Sequence, residues 1–240
     1  MTEAASTAAS RRQAPRGRID KRQAILDAAF TVFAREGYAN ACVKEIAAEA
    51  RVAKPTVYNH LNDKANLFHH AVKLAAETAL AENLRVVERL AAPADDLRGT
   101  LEDVGRLLLR CYCSDESRAL RRLLCAEAHR FPELLETVQA TGTSRVTEAL
   151  ADRFARLTLS GHLRTPDPAE AAEQFVALLT GPAETRSRFG TRQLPDEELR
   201  SLARSAAGTF FSAFGIPAGR IGRPKQTPGP DYAPGRQSPR

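Results

Sequence analysis

The most chemically informative stretch of the chain lies between Lys54 and Lys64, where polar and basic side chains alternate with apolar ones. Val57 and Leu61 fit the buried side of a short helix, which we expect to begin at Pro55 because proline disfavours helical geometry in the residue before it. The outward-facing residues are then Lys54, Thr56, Tyr58, Asn59 and His60. Lysine and the positive end of a helix both attract phosphate, and asparagine pairs with adenine in the major groove. The stretch therefore predicts a helix that contacts DNA.

Two further helices should position this one. We expect the first to be capped by Asp20, with Gln23 reaching back to the cap, and to end at Gly37 in a left-handed conformation. The second is short, and its apolar stripe consists of Val43, Ile46, Ala47 and Ala50. A turn at residues 51–53 leads into the third helix. Two short helices joined by a tight turn, the second polar on its outer face, are typical of a helix-turn-helix that enters the major groove.

One extended pattern of residues runs through these helices and into a fourth. It consists of Ile25-Leu26-x-Ala28-Ala29-x-x-x-Phe33, Gly37-Tyr38, Ile46-Ala47, Val52, Thr56-Val57-Tyr58-x-His60, Lys64 and Leu67. This order resembles the DNA-binding domain of the TetR family of regulators, and it is far more specific than a bare helix-turn-helix pattern. The resemblance implies backbone contacts from Thr56, Tyr58, His60 and Lys64, and base or phosphate contacts from Lys44 and Asn59. With Lys54 and Pro55 at the helix start, the expected DNA-binding residues are Lys44, Lys54, Pro55, Thr56, Tyr58, Asn59, His60 and Lys64.

Three positions depart from the family pattern and predict weak local capping. Arg51 stands where the turn commonly has glycine, and a left-handed conformation there would cost about 1 kcal/mol. Ala53 stands where a serine or threonine cap is usual, and losing such a cap costs about 1 kcal/mol. Cys42 replaces the usual hydroxyl residue near the start of the second helix. We therefore expect DNA affinity to depend strongly on the lysines around the turn.

The composition favours an all-α protein that binds a polyanion. The chain has 240 residues with 43% hydrophobic and 6% aromatic residues, a net charge of +6 and a pI of about 9.4. Its four cysteines lack zinc spacing, and no apolar run suits a secretory signal or a membrane span. We therefore predict a cytoplasmic protein with reduced thiols, no metal, no cofactor and no membrane partner.

We expect a three-helix DNA-binding domain joined by a long helix to a larger helical body for ligand binding and dimerisation. The predicted divisions are a disordered basic arm at 1–19, the helix-turn-helix domain at 20–66, the body at 67–215 and a disordered Pro/Gly-rich tail at 216–240. The arm carries Arg11, Arg12, Arg16 and Arg18. Either it is a solvated tail or it lies along phosphates or in the minor groove.

Proline, glycine and capping residues divide the predicted body. A long fourth helix should start after Asp63 and run toward Leu90, before Pro93 interrupts the pattern. A fifth helix covers about 95–113, a sixth 117–130 and a seventh 132–159, which Gly142 could kink. Asp167 followed by proline predicts the start of the next helix, with a loop or frayed end at 181–195 and a last helix at 195–214.

Three residues of the body are candidates for contact with a small molecule: Cys111, Cys125 and His129. His129 lies in a segment, Glu127-x-His129-Arg130-Phe131-Pro132-Glu133-Leu134, that resembles a recurrent stretch of TetR-family ligand domains. The competing interpretations are buried small hydrophobes for the cysteines and a cation at a helix C-terminus for the histidine. A thiol sensor is a further possibility, with Cys42 beside the DNA.

The last two helices have apolar faces that require burial. The expected interface residues are Phe175, Leu178, Leu179, Leu202, Ala206 and Phe210. In the TetR family the last two helices pair with their copies in a four-helix dimer interface, whereas packing within one monomer is the alternative. A small DNA-binding domain makes few contacts alone, so a dimer that spans a palindrome is the better physical interpretation.

The resemblance implies a homodimeric, sequence-specific transcriptional regulator, more in keeping with a repressor than an activator. A small molecule in the body would tilt the fourth helix, change the separation of the two recognition helices and release a palindromic operator. The alternative is an architectural or nucleoid-associated protein with little sequence preference and a steep salt dependence. An enzyme is disfavoured because the chain has no catalytic constellation.

Overall fold

A computed structural model describes residues 15–91 and 96–216, which form ten α-helices and one 3-10 turn. The helices are α1 (Pro15–Asn40), α2 (Val43–Glu49), α3 (Lys54–Leu61), α4 (Lys64–Val87), α5 (Leu97–Tyr112), α6 (Asp115–Glu127), α7 (Pro132–Thr141), α8 (Thr143–Leu159), α9 (Pro168–Arg186) and α10 (Asp196–Phe214). The 3-10 turn, Glu88–Ala91, follows α4. In these ranges, extended pairing is confined to one bridge between Leu163 and Gly215. The predicted all-α class is confirmed.

Side-chain caps start several of the body helices where the sequence places them. Asp63 accepts a hydrogen bond from the Asn66 amide at 2.8 Å, and Asp167 accepts from the Ala169 amide at 2.8 Å. Asp96 caps α5 in the same way. Each such cap stabilises its helix by about 1 kcal/mol.

The first helix starts earlier than predicted. It begins at Pro15, where proline is well suited because the first amides of a helix have no intrahelical partner. Asp20 therefore lies inside α1 and does not cap it. The positive φ expected at Gly37 is confirmed at +75°, a region that disfavours other residues, but it marks a kink inside α1, which ends at Asn40. Expectations for residues 1–14, for Pro93 and for residues 217–240 lie outside the described residues.

Two predicted boundaries in the middle of the body differ from the structure. The single helix predicted at 132–159 is divided into α7 and α8 at Gly142, where a kink was expected; a Cβ atom there would lie 2.8 Å from the Val138 carbonyl oxygen, so a larger residue would clash. The loop or frayed end predicted at 181–195 begins later than expected, because α9 continues through Pro182 to Arg186 and the irregular segment covers 187–195. Ala183 is fully buried, and its packing offsets the hydrogen bond that the proline removes.

Two hydrophobic cores meet along α4. The first contains α1 to α3 and the first half of α4, together with Leu120, Leu123, Leu124, Leu134 and Val138 of α6 and α7. The second contains α5, α8, α9, α10 and the end of α4. The DNA-binding domain is therefore not an independently packed unit, since α6 and α7 complete its core. Within the described ranges, no helix is both long and apolar enough to span a membrane.

Candidate nucleic-acid interface and effector cavity

The helix-turn-helix is built as the sequence predicts. Ile46 of α2 and Val57 and Leu61 of α3 are buried and lock the two helices together. The Val52 amide donates to the Ala47 carbonyl at 2.9 Å, which closes the tight turn between them. Arg51 has φ +53°, so the left-handed conformation expected at the usual glycine position is confirmed, with a cost of about 1 kcal/mol.

The outer face of α3 is available for contact with DNA. Lys54, Pro55, Tyr58 and Asn59 are exposed, and Thr56 is half-buried. The helix begins at Lys54, one residue before the predicted start, and Ala53 supplies no side-chain cap. Its positive N-terminal end is therefore left for an external anion such as a phosphate. The side chain of His60 lies outside the described part of the chain.

The two other candidate lysines lie in different environments. Lys44 is exposed in the first turn of α2. Lys64 is half-buried: its Nζ donates to the Ala39 carbonyl at 2.9 Å and lies 4.9 Å from the centroid of the Tyr38 ring. Lys64 thus ties the start of α4 to the end of α1, and its ammonium group has three N–H donors, so two remain for a phosphate. The sequence spacing does not reveal this internal contact.

Cys42 is exposed at the N-terminal end of α2, and it supplies no side-chain cap, as expected. The backbone amides of Lys44 and Glu45 lower the pKa of its thiol, and the charge of Lys54 adds to this effect. Burial instead raises the pKa of Cys111 and of Cys113. Cys42 is therefore expected to ionise more readily than Cys111 and Cys113, and it lies close to the surface expected to face DNA.

The corner between α6 and α7, residues 127–132, packs directly against the DNA-binding domain. The Phe131 ring lies 4.9 Å from Tyr38 and 5.0 Å from Phe68, measured between ring centroids. The Arg130 guanidinium lies 4.4 Å from the Tyr38 ring centroid, and the Glu127 carboxylate accepts a hydrogen bond from the Tyr38 amide at 3.2 Å. Tyr38 thus contacts three residues of this corner, Glu127, Arg130 and Phe131, so a movement of α6 or α7 would be transmitted to the end of α1.

A cavity of about 460 Å³ lies between the two cores, in the size range of sites for small organic molecules. Most of its walls are apolar side chains from α4 to α9. Four of its lining residues also belong to the first core, which holds the helix-turn-helix: Ala76, Leu120, Leu124 and Val138. Three others belong to the second core: Leu108, Leu109 and Leu179. The cavity therefore shares walls with the core that packs around the helix-turn-helix.

Only one of the three candidate ligand residues lines this cavity. Cys125 of α6 does so. His129 is exposed at the corner after α6, away from the lining, and Cys111 is half-buried without reaching it. Cys111 and His129 are therefore not placed to touch a molecule in this cavity. The described residues hold no cluster of three or more His, Cys, Asp or Glu side chains suited to a metal ion.

The sequence does not single out the polar part of the cavity. Arg121 of α6 lies with its guanidinium carbon 3.7 Å from the centroid of the Tyr112 ring and donates to the Tyr112 carbonyl at 2.8 Å. The Tyr112 hydroxyl donates to the Glu184 carboxylate at 3.3 Å. Burial raises the pKa of Tyr112, so the phenol keeps its proton. The available signal was the spacing of Arg121 with Leu124 and Cys125, which places a cation on the apolar face of a helix.

The expected dimer-interface residues are mostly core residues of one monomer. Phe175, Leu179, Leu202, Ala206 and Phe210 are all at most 4% exposed, and Leu178 is half-buried. The rings of Phe175 and Phe210 lie 5.1 Å apart, between α9 and α10. The apolar pattern correctly predicts that these faces are buried, but their partners lie in the same chain. An interface between copies would have to use the opposite, exposed faces of α9 and α10.

The fold and the exposed face of α3 define a helix-turn-helix DNA-binding protein. The family model described as "Bacterial regulatory proteins, tetR family" matches residues 25–71, and that described as "AefR-like transcriptional repressor, C-terminal domain" matches residues 99–216. The HTH-type transcriptional repressor Rv3405c of Mycobacterium tuberculosis is 30% identical over 204 residues, 85% of this chain and 96% of that protein. A nicotine-responsive transcriptional repressor, HdnoR of Paenarthrobacter nicotinovorans, is 29% identical over 42% of this chain and 50% of its own length.

Solved structures agree with these relatives. A TetR-family transcriptional regulator from Mesorhizobium loti is 30% identical and has a TM-score of 0.77, over 85% of this chain and 100% of that one. The chain belongs to the TetR family, and it is a DNA-binding transcriptional repressor. The alternative of an architectural protein with little sequence preference finds no support in these comparisons.

Proposed function

We propose that the chain acts as a homodimer on a palindromic operator and that a small organic molecule in the cavity releases it. The observation that carries this proposal is the double role of four side chains. Ala76, Leu120, Leu124 and Val138 line the cavity and also belong to the core that holds the helix-turn-helix. A molecule that displaces these walls must also shift the DNA-binding domain, because packed cores do not deform freely.

The corner between α6 and α7 supplies a second route for the same coupling. Leu124 and Cys125 of α6, and Leu135 and Val138 of α7, line the cavity on either side of this corner. The corner in turn holds Tyr38 at the end of α1. An effector that separates α6 from α7 would pull on Tyr38 and on α4, which begins beside it. Release follows only if the effector binds the DNA-free shape more tightly than the operator-bound shape.

A dimer is required by the small size of the DNA-binding surface. One recognition helix reads few base pairs, and two such helices must lie about one helical turn apart, or a multiple of it, to occupy successive half-sites. We place the interface on the exposed faces of α9 and α10, opposite the buried core residues. These faces present small side chains that permit close helix approach, among them Ala177, Gly181, Ser201, Ser205 and Thr209.

The comparisons support an organic effector without identifying it. The relative HdnoR is named for its response to nicotine, and it is similar over less than half of this chain. That protein responds to a molecule of a size that the 460 Å³ cavity could hold. We further propose that the residues that touch DNA are Lys44, Lys54, Pro55, Thr56, Tyr58, Asn59, His60 and Lys64, with Lys64 also held by its contact with α1. The expectation that the chain is not an enzyme stays a prediction.

Selection of bound DNA from a random pool tests the proposal. We expect the full chain to enrich a palindromic sequence, and sedimentation at micromolar concentration to show a dimer. Asn59→Ala should relax the selected sequence, whereas Lys73→Ala, on the exposed part of α4, should leave it unchanged. If no common sequence is enriched, the proposal of a palindromic operator is refuted. If sedimentation shows only monomer at that concentration, the proposal of a dimer is refuted.

A further inference from the structure

We propose that the effector is an amphipathic organic anion, whose head group binds Arg121 and whose apolar part fills the rest of the cavity. This inference rests on the proposed function, because it names the chemical class that the same cavity takes. It depends on the surroundings of Arg121, on the distribution of apolar walls and on the position of Glu184.

Arg121 is a half-buried cation on a wall that is otherwise mainly apolar. Among residues 15–91 and 96–216 it forms no ion pair with a carboxylate, in contrast to Arg118 three residues earlier, which pairs with Asp115. Its protein partners are the carbonyl and the ring of Tyr112, and a guanidinium has five N–H donors. Donors therefore remain for a ligand, and a carboxylate or phenolate is the group that satisfies them best.

The Tyr112 ring holds the guanidinium in place. The guanidinium carbon lies 3.7 Å from the ring centroid, a distance at which cation–π attraction and packing both fix its orientation. Tyr112 and Arg121 come from α5 and α6, and Ser117 lies one turn before Arg121 on the same cavity wall. The site is thus oriented before a ligand arrives, which reduces the entropy lost on binding.

Glu184 is the cavity carboxylate that could favour a cation instead. It is exposed, and one of its oxygens already accepts from the Tyr112 hydroxyl. Exposed charges are screened by water and salt, whereas the half-buried guanidinium is screened less. The electrostatic balance inside the cavity therefore favours an anion. The remaining walls are mainly apolar, with Leu135, Val138 and Val146 among them, and they suit an alkyl chain or a ring system.

The test compares three probes of equal chain length: decanoate, decanamide and decylammonium. Their binding to the full chain is measured by calorimetry at pH 7.5, where the carboxylic acid is ionised. We expect decanoate to bind at least tenfold more tightly than the amide and to bind far better than the amine. Equal affinity of decanoate and amide, tighter binding of the amine, or no binding of decanoate up to about 1 mM would overturn the proposal.

Substitutions of Arg121 test whether this side chain causes the preference for decanoate over decanamide. Arg121→Gln should abolish the difference between decanoate and decanamide while leaving amide binding within about twofold, and Arg121→Lys should restore part of it. The matched control is Arg110→Gln, which removes an exposed charge of α5 outside the cavity lining. Melting temperatures confirm that each variant is folded. If a folded Arg121→Gln protein keeps the full preference for decanoate over decanamide, the assignment of the head-group site to Arg121 is refuted.

Measuring whether each probe releases the protein from the selected operator distinguishes a failure of the ligand class from a failure of the proposed function. If decanoate binds through Arg121 without weakening operator binding, the ligand class stands and the effector role fails. If a neutral or cationic probe releases the operator and decanoate does not, the effector role stands and the ligand class fails.

Discussion

Phe131 joins the body to the DNA-binding domain, and its removal should destabilise the folded protein. Its ring contacts Tyr38, Phe68 and His69 at centroid distances of 4.9, 5.0 and 5.1 Å. Phe131→Ala in a fully buried site would cost about 3–5 kcal/mol, and Phe131 is half-buried. We therefore expect a loss of about 2 kcal/mol in the free energy of unfolding, or about 4–8 °C in melting temperature.

The matched control is Phe189→Ala, because Phe189 is 77% exposed. It should change the free energy of unfolding by less than about 0.5 kcal/mol. Urea unfolding at one fixed protein concentration measures both variants, since dimerisation makes the apparent stability depend on concentration. Equal effects of the two substitutions would refute the role of the corner.

Phe131→Leu extends the same test to coupling. Leucine keeps much of the volume but loses the edge-to-face contact with Tyr38, so the folded protein should survive with a looser corner. We expect the ratio of operator affinities without and with a bound effector to fall toward one, while effector affinity for the DNA-free protein changes little. An unchanged ratio in a folded variant would show that the signal does not pass through this corner.

Three further changes test the DNA-binding domain. Ala53→Ser should add a missing cap to α3 and raise the free energy of unfolding by about 1 kcal/mol in urea titrations; no gain would mean that the helix start needs no cap. Lys54→Gln should reduce the magnitude of the slope of log affinity against log salt concentration by about one, whereas Lys73→Gln should leave the slope unchanged. Equal slopes for the two variants would exclude a phosphate contact by Lys54. The pKa of the Cys42 thiol is lowered and that of Cys111 is raised, so the rate of alkylation of Cys42 should increase at a lower pH than the rate for Cys111. Mass spectrometry of the alkylated protein measures both rates. The reverse order would contradict the role of the α2 amides.

Local backbone features could be predicted because they depend on neighbouring residues. The caps at Asp63 and Asp167, the break at Gly142 and the left-handed Arg51 all follow from one residue and its immediate sequence context. The face that α3 presents to DNA follows from helical periodicity in the same way. Pro15 is the exception among local features, because the early start of α1 has no apolar pattern to mark it.

Features that depend on distant parts of the chain could not be predicted from periodicity. An apolar stripe shows that Phe175 and Phe210 are buried, but it does not show whether the partner is the same chain or a copy. In the structure they pack on each other and on Phe154. Arg121 has a cavity role only because α5 brings Tyr112 beside it, and Lys64 is engaged only because α1 ends nearby.

Occupation of the cavity is expected to weaken operator binding, and a cavity-filling substitution tests this claim without any effector. Ala79 of α4 lines the cavity, so Ala79→Phe places a ring inside it, whereas Thr78→Phe puts the same ring on the exposed side of α4. Operator affinity is then measured for both folded, dimeric variants on the selected sequence. We expect Ala79→Phe to bind at least tenfold more weakly than the unaltered chain and Thr78→Phe to stay within about twofold of it. Wild-type operator affinity in an Ala79→Phe protein whose cavity no longer accepts decanoate would contradict the claim.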